Sequence, residues 1–368
     1  MKKSIKLNNL IIILVAVTLV LQSCKKSVDY IVFNGNIYTV NDDFDTVSAF
    51  AVKDGKFIDV GNNEILSKYK TEEKIDLNGS TVLPGLIDAH CHFYGLGLNQ
   101  SVIDLTGTNS FNEILEKISK SDSKNIIRGR GWDQNDWEVK EFPNKTKLDL
   151  LYPETPVVLE RIDGHAYLVN QKALDIAGID INTKSNNGTV LTKKGRLTGV
   201  LIDGPMSLID KAFGEVSLDD KINALLSAQE ICFKHGLTTV DDAGLSKDVI
   251  LLIDSLQKRK SLKMRVYAMI SNLENDVNYF IENGPIKTNS LNVRSVKVYG
   301  DGALGSRGAT LKEPYSDDIH NYGKLVTDVE SIKILAKKLS EANFQMNTHA
   351  IGDSTVNILI KAYSKVLE

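Results

Sequence analysis

Leu83-Pro84-Gly85-Leu86-Ile87-Asp88-Ala89-His90-Cys91-His92 is the stretch on which the fold turns. Pro84-Gly85 punctuates the chain, and the residues after it read as a short apolar strand that ends in two histidines. Alternate side chains of a strand share a face, so His90 and His92 converge on one side and Cys91 points away. Two imidazoles so placed can share one metal ion, although a lone His-x-His also arises by chance on exposed strands. Position strengthens the metal reading, because the C-terminal mouth of a barrel strand is where catalytic ligands belong.

Upstream, Tyr30-Ile31-Val32-Phe33, Ile37-Tyr38-Thr39-Val40, Ala49-Phe50-Ala51-Val52 and Lys56-Phe57-Ile58-Asp59-Val60 are short β-branched and aromatic runs. Asn34-Gly35 and Asp54-Gly55 between them are hairpin signals, so residues 24–83 are expected to form a small β-sandwich unit. Farther upstream, Lys2, Lys3 and Lys6 precede an apolar run from Leu10 to Leu21, followed by Gln22-Ser23-Cys24. A run of about twelve residues is too short to cross a bilayer core of roughly 30 Å as a helix, but it suits an export signal. Leu21-Gln22-Ser23-Cys24 resembles a bacterial lipobox. Residues 1–23 are therefore expected to be a lipoprotein signal peptide, with Cys24 lipidated and the body held at the cell envelope by a membrane anchor. An uncleaved N-terminal anchor is the alternative, and it too places the body outside the cytoplasm.

Downstream, apolar strands alternate with amphipathic stretches. The strands read as 85–90, 237–241, 264–269, 293–299 and 344–349, and Leu218 to Lys234 and Val329 to Ala342 lie among the stretches between them. This alternation predicts an α/β fold with a parallel sheet, and its repetition favours a TIM (β/α) barrel over residues 84–368. About 140 residues separate the first two strands, against the few expected of a βα loop, so an inserted subdomain is expected over about 100–235.

A formal net charge of −3, with no basic stripe, excludes nucleic acid as the natural partner and favours a small-molecule substrate. The three cysteines, Cys24, Cys91 and Cys232, have no paired spacing, so neither a structural zinc nor a disulfide is expected.

Within the parallel region, strand alternation puts Lys297 on the face opposite Val296 and Val298, toward the barrel interior. A buried lysine tends to lose its proton, unless it pairs with a carboxylate such as Asp301. His349 ends the fifth strand with Asn347 and Gln345 on its face; read alone, it is either a ligand or a satisfied polar residue. His165, beside Asp163, either lines the substrate pocket or closes a turn. Trp132 is either a lid aromatic or a core residue. Asp301 and Arg307 follow the Lys297 strand, where substrate-contacting loops belong. His235 before Gly236 reads as a helix cap, and His320 as solvated.

Four longer motifs carry a family resemblance: 129–134 (GRGWDQ), 161–166 (RIDGHA), 297–309 (KVYGDGALGSRGA) and 348–353 (THAIGD). With the 83–92 stretch they are similar to the YtcJ-like branch of the amidohydrolase superfamily, which includes an N-substituted formamide deformylase. The resemblance runs from about Tyr30 to the last residue. It implies a divalent metal site, zinc by ligand type, with one or two ions held by His90, His92, a carboxylated Lys297 and His349. Lys297 and His349 would be catalytic, and Trp132, Asp163, His165, Asp301 and Arg307 candidate substrate contacts. The implied reaction is hydrolysis of a non-peptide C–N bond in an amide, formamide or cyclic amide.

The family's sixth-strand histidine and eighth-strand aspartate have no counterpart here, because the sequence ends one amphipathic stretch after His349. The chain is accordingly expected to be an inactive, poorly soluble fragment with strands one to five of the barrel. The alternative is a lipoprotein that binds a small molecule without catalysis, and the gene sequence beyond Glu368 distinguishes the two. Substrate, metal number and oligomeric state are left open by the sequence.

Overall fold

The computed structural model describes residues 25–121, 123, 125–185, 187–214 and 216–367. The expected signal peptide and Cys24 lie outside the described residues. The chain divides into two compact units between Gly85 and Leu86.

In the N-terminal unit the strands Lys56–Gly61, Ala49–Lys53, Tyr30–Phe33 and Glu73–Asp76 form one sheet in that order. Thr46–Val47, Asn36–Tyr38 and Thr81–Val82 form another. Asn34 and Asp54 adopt φ of 56° and 51°, in the left-handed region that asparagine and aspartate tolerate better than most residues. Asp54-Gly55 closes the expected hairpin between Ala49–Lys53 and Lys56–Gly61, but Asn34-Gly35 does not: the strands on either side of it pair in different sheets, so there the chain crosses from one sheet to the other. Val28, Ile31, Ala49, Ala51 and Ile65 are the buried core.

The second unit is built on a curled parallel sheet. Its strands Leu86–Cys91, Leu237–Leu245, Arg265–Ser271, Leu291–Tyr299 and Gln345–His349 run parallel to one another, and the short strand Ile286–Lys287 adds antiparallel to Leu291–Tyr299. Val240, Val266, Val296 and Val298 turn to one side and pack against four helices. Those helices are Leu218–Lys234, Lys247–Lys258, Glu274–Asn283 and Val329–Glu341, contributing Leu225, Ile253, Phe280 and Leu339 respectively. Each such side chain removed from water contributes about 1.5–3 kcal/mol, which makes this the stabilising side of the sheet. The opposite, concave side carries the polar residues.

Caps set the helix ends. Ser217 accepts a hydrogen bond from the Asp220 amide at 3.2 Å, and Gly236 at φ 77° follows His235 at the C-terminus of Leu218–Lys234.

Between the first two parallel strands lies a six-stranded mixed sheet. Its order is Ile103–Asp104, Ile127–Trp132, Val157–Arg161, Ala166–Val169, Arg196–Asp203, Gly188–Lys193. Alternation sorts its two faces into separate cores: Val157 and Leu159 in one, Val158 and Val169 in the other. The extent expected for this insertion, about 100–235, is too long. Helix Leu218–Lys234 buries Leu225, Ala228 and Cys232 in the core of the parallel sheet, and belongs there rather than with the insertion. No helix among the described residues is long and apolar enough to cross a membrane.

Candidate active site

Strand register brings the key side chains level. Lys297 pairs with Ser271 on one neighbour and Asn347 on the other, and Tyr299 pairs with His349. Because Val296 and Val298 face the helices, Lys297 takes the concave face, where only 4% of its surface is exposed. Its Nζ lies 3.4 Å from His90 Nε2 and 5.4 Å from the Tyr299 ring centroid. Gly244 closes this side: a Cβ there would sit 3.6 Å from Lys297 Cγ, and its φ of 118° is one that side chains rarely adopt.

His92 lies just past the end of its strand, at φ −125° and ψ 73°, where the helix Phe93–Leu98 begins. Its ring meets that of His90 edge to face, with centroids 6.2 Å apart. On the other side, the His349 ring centroid is 5.6 Å from Tyr299 and 5.1 Å from His165. His349 Nε2 is 3.0 Å from the Gly302 carbonyl, which only accepts, so Nε2 carries the proton and Nδ1 keeps the lone pair. Four of the chain's six histidines thus gather around one lysine and one tyrosine.

Electrostatics keep this cluster short of positive charge. Burial lowers the pKa of Lys297. Burial first, and then the Lys297 charge, lower that of His92. Burial also lowers His349, against the opposing pull of its bond to Gly302. His165 is the exception. Burial pulls it down, but the Asp203 carboxylate, 2.7 Å from Nδ1, outweighs burial with help from Asp163 and Asp301, and the net direction is up.

Two of the remaining expected substrate contacts, Trp132 and Asp301, are fully buried. Trp132 is fully buried in the core of the inserted sheet and donates its indole N–H to the Leu159 carbonyl at 2.9 Å. It is a core tryptophan, not a lid, because no part of it is open to a ligand. Asp301 is also fully buried: it accepts from the amides of Thr310, Ile351 and Gly352 and from the Thr355 hydroxyl, all within 3.0 Å. It fastens the loop after the Lys297 strand to the loop after His349, and neither pairs with Lys297 nor faces a ligand.

Asp163 accepts from the His165 amide at 3.0 Å and pairs with the buried guanidinium of Arg161, which also binds Asp133. It shapes the turn that carries His165. Arg307 pairs with Asp317 at 2.5 Å and stacks over Phe142. His235 and His320 are exposed and lie away from the cluster's contacts.

Three residues escaped the sequence reading. Tyr299 was available by alternation, two positions beyond Lys297 on the same face. Asp203 ends the strand Arg196–Asp203 and reaches His165 across 38 residues, which no spacing rule reveals. Asp242 is 1% exposed, is raised to about 7 by burial, and accepts from the Tyr94 amide at 2.9 Å. It holds the chain just after His92.

A parallel sheet with histidines and a lysine at its C-terminal mouth defines a class, and the chain belongs to the amidohydrolase family, whose model matches residues 73–368. It is similar to the protein YtcJ of Bacillus subtilis (strain 168), with 34% identity over 347 residues, covering 90% of this chain and 65% of that one. Similarity extends to an N-substituted formamide deformylase of Arthrobacter pascens, at 23% identity over 92% of this chain and 66% of that one. Among solved structures, an uncharacterized metal-dependent hydrolase from Pyrococcus horikoshii OT3 superposes with a TM-score of 0.69 at 26% identity, over 91% of this chain and 68% of that one. The chain therefore spans about two thirds of the length of the curated relatives it matches.

Proposed function

We propose that this chain supplies the metal-binding face of a hydrolase that cleaves a C–N bond other than a peptide bond, in an amide, formamide or cyclic amide. The observation that carries the proposal is the approach of Lys297 Nζ to His90 Nε2 at 3.4 Å on the concave face. That approach shows the two side chains reaching one centre; with Lys297 carboxylated, its carboxylate oxygens and the His90 ring would be the donors there. Among the described residues no three His, Cys, Asp or Glu side chains already close on a common point, so the fit rests on the donor set that includes Lys297. That set suits a metal. Lys297 and the imidazoles of His92 and His349 are all biased toward their uncharged forms.

His90, His92, Lys297 and His349 would hold the ion, with zinc the natural choice for imidazole ligands. Burial biases Lys297 toward its uncharged form, the form that takes up carbon dioxide to become a carboxylate ligand. When bound, the ion supplies Lewis acidity, which acidifies water and polarises a carbonyl. The chain's own residues do the rest: Gly302 fixes the His349 ring, Tyr299 walls the cluster, and the buried sheet keeps bulk water from one side of it. The match to the formamide deformylase supports the substrate class, and the Pyrococcus structure supports the metal.

The test uses the protein as its gene encodes it, loaded with zinc and offered N-formyl, N-acyl and cyclic amide compounds. Turnover that a chelator abolishes and zinc restores is the expected result. Ligand binding without metal and without turnover would replace the proposal with a binding protein. Export and lipidation at Cys24 are part of the same proposal. Metabolic labelling with a radioactive fatty acid should mark the protein and fail to mark Cys24→Ala; equal labelling of both would reject the anchor.

A further inference from the structure

The loop after the Lys297 strand, residues 300–309, holds four glycines, and two of them surround a single carboxylate. A Cβ on Gly302 would lie 2.5 Å from Asp203 Oδ2, and one on Gly308 would lie 2.6 Å from the same atom. Such distances are too short for any real side chain, so Asp203 Oδ2 occupies space that only glycine leaves open. Asp203 itself stands at φ 57°, a conformation that costs a non-glycine residue energy and persists where its surroundings enforce it. Its amide donates to the His165 carbonyl at 3.1 Å, and its Oδ1 meets His165 Nδ1 at 2.7 Å. The carboxylate is 7% exposed.

The contacts close a ring. Gly302 accepts from His349 through its carbonyl and cradles Asp203 through its bare Cα. Asp203 holds His165, and His165 lies against His349, with ring centroids 5.1 Å apart. A carboxylate only accepts from a histidine ring, so Nδ1 of His165 carries a proton and Nε2 is left without a partner among the described residues. A histidine wanted only for packing has no need of a strained aspartate seated between two glycines.

We propose that Asp203 is a positioning residue that fixes the ring of His165, making His165 Nε2 the nitrogen presented to the reacting group of a bound substrate. What His165 touches rests on the hydrolase reading. The Asp203–His165 pairing does not.

Two measurements separate them. Histidine side-chain 15N spectra of the metal-free protein, with the His165 signals assigned through His165→Gln, report which ring nitrogen bears the proton. Wild type should show a His165 Nδ1–H held by a strong acceptor. Asp203→Asn, which tolerates the left-handed backbone, should lose that signature. Gly308→Ala should lose it too, by pushing the carboxylate out of its seat, and this second variant decides the matter if the first does not fold. An unchanged His165 pattern in a folded variant overturns the proposal.

In the full-length, zinc-loaded enzyme both variants should lower kcat on the order of 10²-fold, with KM changed less than about threefold and metal content unchanged. Equal loss of bound metal would mean that Asp203 acts only by supporting the metal ligands, and would overturn the assigned role. If the wild type hydrolyses nothing, the hydrolase reading fails and the spectra alone decide the pairing.

Discussion

Lys297 Nζ and His90 Nε2 lie 3.4 Å apart although 207 residues separate them in the chain, because the first and fourth strands of one parallel sheet turn their mouths to a common concave face. A buried lysine against an imidazole, with no carboxylate paired to it among the described residues, is costly unless the site has a use for it. Lys297→Met keeps the length of the side chain and removes the desolvated amine. It is expected to leave thermal stability equal or higher while lowering metal content and turnover by roughly 10²–10⁴-fold. A variant that loses stability but keeps metal and activity would show Lys297 to be structural.

Asp301 should behave in the opposite way. Asp301→Ala leaves three backbone amides and the Thr355 hydroxyl without their shared acceptor, and breaking such a buried arrangement costs about 3–5 kcal/mol. Urea denaturation would reveal this as a lower midpoint. A loss under about 1 kcal/mol would contradict the fastening role.

The buried Asp242 gives the protein a pH dependence with a definite sign. Burial raises its carboxyl from 3.8 to about 7, so between these values the folded state holds a proton that the unfolded state has released. Stability therefore falls as pH rises through that window, by on the order of 4 kcal/mol once both states are ionised. Asp242→Asn keeps an acceptor for the Tyr94 amide. Its melting temperature should exceed that of the parent at pH 8 and match it near pH 4. Parallel curves for the two proteins would contradict the assignment.

Trp132→Phe tests the core placement. It removes the indole bond to Leu159 and should cost about 1–2 kcal/mol of stability, with KM for any substrate unchanged. A selective change in KM would return Trp132 to the substrate pocket.

What the sequence made legible was local and periodic. The hairpin at Asp54-Gly55, the parallel strands that carry His90 and His349, and the concave face of Lys297 all follow from turn chemistry and alternation, whereas Asn34-Gly35 carries the same turn signal but joins strands of two different sheets. The same alternation also held Tyr299, two residues on from Lys297. Trp132 and Asp301 stand among the expected substrate contacts because motif and loop position cannot separate a ligand contact from a buried tie. Only burial and the four bonds to Asp301 do that. Asp203 was invisible because its partners, His165, Gly302 and Gly308, come from separate segments. The extent of the insertion was overestimated because helix Leu218–Lys234 shows its apolar stripe in sequence, but not the core that the stripe joins.

The central claim is that one divalent ion or a pair sits among His90, His92, Lys297 and His349. Crystals of the zinc-loaded, full-length protein, measured on both sides of the zinc absorption edge, test it most directly. The account predicts an anomalous peak within about 2.0–2.2 Å of donor atoms from at least three of these four residues. A peak held by other residues, or a concave face with no zinc at saturating concentration, would contradict it.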